Sequence, residues 1–134
     1  MEFFKVSPGG FFLLALLLLC LPLPWAGAVI TAAAFHELCH GAVLWLLDVR
    51  IRGFSLGCRG AKLHLPVLSP GTQILSAAAG PAGSLLLALL IRRIPRIGFC
   101  ALVQGLFNLL PLYPLDGGRI LRSLHLLISS RKDL

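Results

Sequence analysis

The sequence predicts an all-α membrane protein of about four transmembrane helices, with a short β-hairpin-like connector after the second. Apolar residues make up 57% of the 134 and charged residues 13%, and the mean hydropathy is +0.91. An ordinary soluble domain is about half apolar and a quarter charged. The apolar residues also gather into four segments, each near the ~20 residues that a helix needs to cross a bilayer. No internal repeat or low-complexity linker divides the chain, so residues 1–134 read as a single membrane-embedded domain.

The first segment, about residues 9–25, is the shortest and breaks at Pro22 and Pro24, where a helix loses backbone bonds and turns. Its rival reading is a secretory signal, because an apolar core followed by Ala26-Gly27-Ala28 resembles a cleavage site. A retained helix is preferred: Glu2 stands against Lys5, so the usual basic start is missing, and cleavage would leave the next apolar segment at the new N-terminus. The second segment covers about 27–47. The connector from Asp48 to Gly71 carries Arg50, Arg52, Arg59 and Lys62 with alternating stretches such as IRGFSLG and AKLHLPV, which hint at a hairpin. The third segment, about 72–91, is rich in Gly, Ala and Ser, which let helix backbones approach closely in lipid, so it should pack centrally. The fourth, about 97–115, leads into NLLPLYPLDGGRILRSLHLL, amphipathic enough at its end to lie at the interface or begin another helix.

The formal net charge of +7 does not point to nucleic acid, since the basic residues sit in short connectors with no aromatic-interleaved basic face. With four crossings, Lys5, Arg50, Arg52, Arg59, Lys62, Arg119, Arg122, Arg131 and Lys132 share one side, against Arg92, Arg93 and Arg96 on the other. The positive-inside rule makes the first side cytoplasmic, with both termini there, in a multi-pass protein of the cell membrane. Cys20, Cys39, Cys58 and Cys100 are isolated, without a CxxC pair, and read as small apolar fillers.

The chemistry begins in the second segment with His36-Glu37-Leu38-Cys39-His40, a match to HExxH. Four residues apart on a helix, the two histidines share a face about 6 Å apart along the axis, within reach of one ion. In this motif the glutamate is a general base for water on a zinc ion. Ionisable groups in a membrane span are costly, so three within five positions call for a compensating partner, which a divalent cation supplies.

Catalytic zinc usually takes three protein ligands. Val43 and Leu46 stand where a metzincin needs a glycine and a further histidine, and no glutamate follows Glu37, which removes the thermolysin arrangement. Asp48 lies about 12 Å along the same helix and marks its end instead. Glu2 and Asp133 are near the termini, where fraying is the default, and His64 and His125 belong to the connector and the tail. Asp116 remains, in Pro111-Leu112-Tyr113-Pro114-Leu115-Asp116-Gly117-Gly118, where the prolines and glycines force the helix to bend or open. Such irregular backbone at membrane depth is tolerated where protein or a water-filled cavity surrounds it.

The ordered pair of HELCH and NLLPLYPLDGG resembles the site-2 protease family of intramembrane zinc metalloproteases, including its sporulation-type bacterial members. The similarity covers a catalytic core of about 28–124, with AAAGPAGSLLLALL resembling the family's Gly-Pro-containing third helix. It implies one Zn2+ per chain on His36, His40 and Asp116, water activation by Glu37, and a substrate-positioning role for Asn108, from the family's Asn-x-x-Pro. It also implies a membrane-dipping hairpin at 49–71 controlling entry, and a membrane-anchored protein as substrate. Cys39 departs from the glycine usual beside the second ligand. A thiolate there could compete for zinc, though space-filling is the simpler role. A chain this short suggests a minimal member, or one that needs a regulatory membrane partner or a homo-oligomer to complete its bundle. The alternatives are a non-catalytic metal-binding membrane protein or pseudo-protease partner, and a structural bundle subunit that holds no zinc.

Overall fold

The computed structural model describes residues 4–57 and 60–132, so Glu2, Cys58, Arg59 and Asp133, weighed above, lie outside the described residues. The described residues open with a short strand, β1 (Phe4–Val6), and a helix, α1 (Pro8–Cys20). Ser7 caps α1, its Oγ accepting from the Gly10 amide at 3.3 Å. After a break at Leu21-Pro22 comes α2 (Leu23–Leu46). Pro24 falls in the first turn of α2, where its missing N–H would have been unpaired anyway. The expected break is therefore made by Pro22, while Pro24 helps to start the next helix.

Helix α2 ends in a Schellman arrangement. Asp48 takes the left-handed conformation at φ 54°, the Asp48 amide donates to the Trp45 carbonyl at 3.1 Å, and the Val49 amide donates to the Leu44 carbonyl at 2.9 Å. Asp48 thus closes the helix that carries the two histidines.

The connector forms β2 (Gly53–Gly57) and β3 (Gly60–His64), paired antiparallel with Gly53 opposite His64. The hairpin expected between Asp48 and Gly71 is present. Its partner on the other side was not foreseen: β1 pairs with β2 in parallel, Phe4 opposite Phe54 and Val6 opposite Leu56. This three-stranded sheet ties the N-terminus to the connector, and α1 leans on β2, where a Cβ on Gly10 would lie 2.6 Å from the Leu56 carbonyl oxygen.

Three further helices follow, α3 (Pro70–Ala88), α4 (Pro95–Asn108) and α5 (Asp116–Lys132). Ser69 caps α3 by accepting from the Thr72 amide at 3.3 Å, and Pro70 opens its first turn. Helix α3 is central, packed against α2, α4 and α5. The core is mostly small and polar: Ala26, Ala28, Ala32, His36 and His40 are buried on α2 with Leu44, and Ser76, Ala77, Gly80, Gly83 and Ser84 on α3. Large apolar side chains point outward instead, Leu19 at 86% exposure and Trp45 and Leu89 at 77%. Close packing through small residues is what holds helices together when the surroundings are themselves apolar.

Of the four crossings expected, one is met on length and apolarity among the described residues: α2, 24 residues long. Helix α1 has 13 residues and α4 has 14, about 20 Å each at 1.5 Å per residue, shorter than the ~30 Å of a hydrocarbon core. The fourth apolar segment stops being helical at Asn108, and residues 109–115 form a turn-rich link to a fifth helix. The composition stays apolar across that link, but Pro111 and Pro114 supply no amide hydrogen to continue the ladder.

Candidate metal centre

Three elements converge on one point. The stripe at residues 28, 32, 36, 40 and 44 repeats every four positions, so His36 and His40 lie along the inward face of α2. Asp116 is the first residue of α5, where the helix N-terminus favours a negative charge. All three side chains are buried, His36 at 2%, His40 at 5% and Asp116 at 5% exposure.

Their ligand atoms form a nearly equilateral triangle. His36 Nε2 lies 3.1 Å from His40 Nε2 and 3.1 Å from Asp116 Oδ2, and His40 Nε2 lies 3.2 Å from the same oxygen. Tetrahedral zinc with ligands at about 2.0–2.1 Å separates its ligand atoms by roughly 3.3 Å, so the triangle has the right size. The protonation pattern agrees. A carbonyl oxygen only accepts, so His40 Nδ1–H donates to the Ser76 carbonyl at 2.7 Å. In the neutral ring this leaves a lone pair on Nε2, aimed at a carboxylate oxygen that also only accepts. The neutral ring and the carboxylate then present two donor atoms 3.2 Å apart that one shared cation would bridge. The residues present therefore fit a zinc ion.

Helix α3 supports both imidazoles from behind. Ser84 Oγ is 2.8 Å from His36 Nδ1, while the Ser76 carbonyl holds His40. Such partners fix ring orientation and tautomer in metal sites. Between them stands Gly80, where an added Cβ would collide with His40 Nε2 and lie 2.7 Å from His36 Nε2, so only glycine lets α3 come this close. Ser76, Gly80 and Ser84 are spaced by four residues, the same interval as the histidines they serve.

Glu37 is half-buried and within electrostatic reach of His36, His40, Asp116 and Arg119. Arg119, one turn along α5, donates from Nη1 to Asp116 Oδ1 at 3.3 Å. Asn108 ends α4, and its Nδ2 donates to the Gln104 carbonyl at 3.0 Å within the same helix. The structure thus brings His36, His40 and Asp116 together with Glu37 beside them, and gives Asn108 a local bond. His64 pairs with Ser55 Oγ at 3.0 Å on the exposed hairpin, and His125 is exposed on α5. Cys39 packs on Gly83, where a Cβ would strike its Sγ, so the thiol fills the α2–α3 seam. Neither Ser84 nor Arg119 stands out in the sequence, where the only signals for them are the four-residue spacing from Gly80 and the three-residue spacing from Asp116.

No family model matches the chain. A protein of Synechocystis sp. (strain ATCC 27184 / PCC 6803 / Kazusa) designated a zinc metalloprotease is 32% identical over 123 residues, taking in 75% of this chain and 32% of that protein. The chain spans about a third of that relative's length. Among solved structures, the site-2 protease from Methanocaldococcus jannaschii superposes with a TM-score of 0.74 over 92% of this chain and 68% of that one, at 19% identity. The fold is shared at an identity too low to carry more than the fold.

Proposed function

We infer that this chain, which belongs to the site-2 protease family, is an intramembrane zinc metalloendopeptidase that cleaves membrane-tethered proteins within or near a transmembrane segment. The observation that supports this most is the buried triangle of two imidazole nitrogens and one carboxylate oxygen with a glutamate beside it. Coordination alone has no use for Glu37, so the glutamate favours catalysis over passive metal binding.

His36, His40 and Asp116 hold the ion. Zinc bound there supplies Lewis acidity, which lowers the pKa of water and polarises a carbonyl. Glu37 takes the proton of the attacking water and delivers it to the leaving amine, a general base that becomes a general acid. Ser84 and the Ser76 carbonyl keep the imidazoles turned toward the ion while charge develops. Asn108 is assigned the steadying of the substrate strand on the Asn-x-x-Pro that it shares with the family, a role in which its Nδ2 exchanges the Gln104 carbonyl for the substrate. The substrate segment must unwind, since a helical backbone shelters its peptide bonds.

The exposed apolar surface supports the membrane setting. Phe11, Phe12, Leu19, Leu23, Trp45, Leu86 and Leu89 all face outward, and soluble monomers rarely leave contiguous apolar patches beyond a few hundred Å2 uncovered. In this reading residues 28–124 are the catalytic core of a multi-pass protein of the cell membrane with both termini cytoplasmic. Its occupation is regulated intramembrane proteolysis, with a second copy or a membrane partner completing the bundle.

The test is cleavage of a membrane-anchored substrate by the protein reconstituted in vesicles. A zinc chelator should stop cleavage and added Zn2+ should restore it. Cleavage that persists in the fully chelated protein would contradict the assignment.

A further inference from the structure

Zinc ligands are three residues, but the carboxylate among them has two oxygens, and only one of them faces the imidazoles. Asp116 Oδ2 meets both Nε2 atoms, while Oδ1 is turned away and accepts from Arg119 Nη1 at 3.3 Å. Both groups ride on the same turn of α5, three residues apart, where side chains meet. Asp116 has a side-chain exposure of 7% and Arg119 of 27%, so the pair is not a solvated surface contact. Among the described residues Arg119 is also the only lysine or arginine in an ion pair.

We propose that Arg119 is a positioning residue that holds Asp116 as a one-oxygen ligand by occupying Oδ1, a role that rests on the zinc-protease reading. A buried carboxylate has acceptor sites on both oxygens. Without Arg119, Oδ1 has no partner among the described residues and the carboxyl group can swing to present both oxygens to the ion. The coordination position that water needs is then taken by the protein. A guanidinium suits this task because it is always charged, and its single contact on Oδ1 leaves Oδ2 to the imidazoles.

The experiment uses the full chain purified in detergent, stripped of metal and titrated with Zn2+ against a chromophoric chelator. Co2+ is loaded in parallel to report coordination through its visible absorption. Arg119→Met should weaken zinc binding by about 10–100-fold, the usual effect of removing a partner behind a ligand. Its Co2+ bands should lose intensity as a second carboxylate oxygen adds to the coordination number. Arg119→Lys, which keeps the charge, should recover most of the affinity and the parent spectrum. Arg122→Met, on the same helix but with its guanidinium 6.0 Å over the Tyr113 ring, should change neither.

Parent-like affinity and spectrum in Arg119→Met would overturn the inference, and so would equal losses in Arg122→Met. Should the methionine variant fail to fold, Arg119→Gln is read by the same criteria. A parent protein that binds no stoichiometric zinc would instead defeat the protease reading itself, and the two failures are told apart by that first titration.

Discussion

Asp116→Ala should abolish stoichiometric zinc binding, with a loss beyond the roughly 10–100-fold that follows removal of a mere supporting partner. The carboxylate is the one acidic corner of the triangle, 3.1 Å from His36 Nε2 and 3.2 Å from His40 Nε2. Two neutral imidazoles alone leave the cation's charge uncompensated among buried, mostly apolar surroundings, where charges are costly. Asp116→Asn keeps the size and the start of α5 while removing the charge, so it separates ligand loss from misfolding. Metal analysis and chelator competition measure both variants. If either keeps the parent's affinity, Asp116 is not a ligand.

Glu37→Gln should do the opposite to the two observables: zinc stays bound at the parent's ratio while cleavage falls by about 10²–10⁴-fold, the range of a lost general acid–base group. Glu37 makes none of the three edges of the triangle, so coordination does not depend on it. Glutamine retains the volume and hydrogen-bonding length but cannot shuttle a proton near neutral pH. Zinc content and cleavage of a membrane-anchored substrate are to be measured on the same preparation. Undiminished cleavage would remove Glu37 from the mechanism.

The parts of the site legible in the sequence are those governed by local geometry. His36 and His40 lie one helical turn apart whatever the tertiary structure, and Asp48 ends their helix because an exposed polar residue that tolerates φ 54° suits a Schellman closure. Asp116 follows by elimination, since of the five acidic residues Glu37 serves the motif as base, Asp48 lies too far along the helix, and Glu2 and Asp133 are near the termini. What stayed hidden depended on how helices dock. Ser76, Gly80 and Ser84 look like a generic small-residue stripe until α3 is laid against α2, and only then does the space beside Gly80 become the room occupied by the imidazole rings.

The overall fold divides along the same line. The hairpin and the central α3 follow from alternation and from small residues, both local signals. Strand β1 did not, because three residues, Phe4–Val6, are too few to show a period and gain their bonds only from β2. The opening of the fourth segment follows from the prolines and glycines of 111–118, but its start at Leu109 does not: hydropathy stays high through Leu109, Leu110 and Leu112, and an apolar average does not register where the backbone leaves the helix.

The most direct measurement is X-ray absorption at the zinc edge on the purified, zinc-loaded protein, repeated on Asp116→Asn. The expected result is one ion per chain with two imidazole nitrogens and a carboxylate oxygen at about 2.0–2.1 Å, and no stoichiometric zinc in the variant. A spectrum without imidazole scattering, or one dominated by sulfur from Cys39, would contradict it.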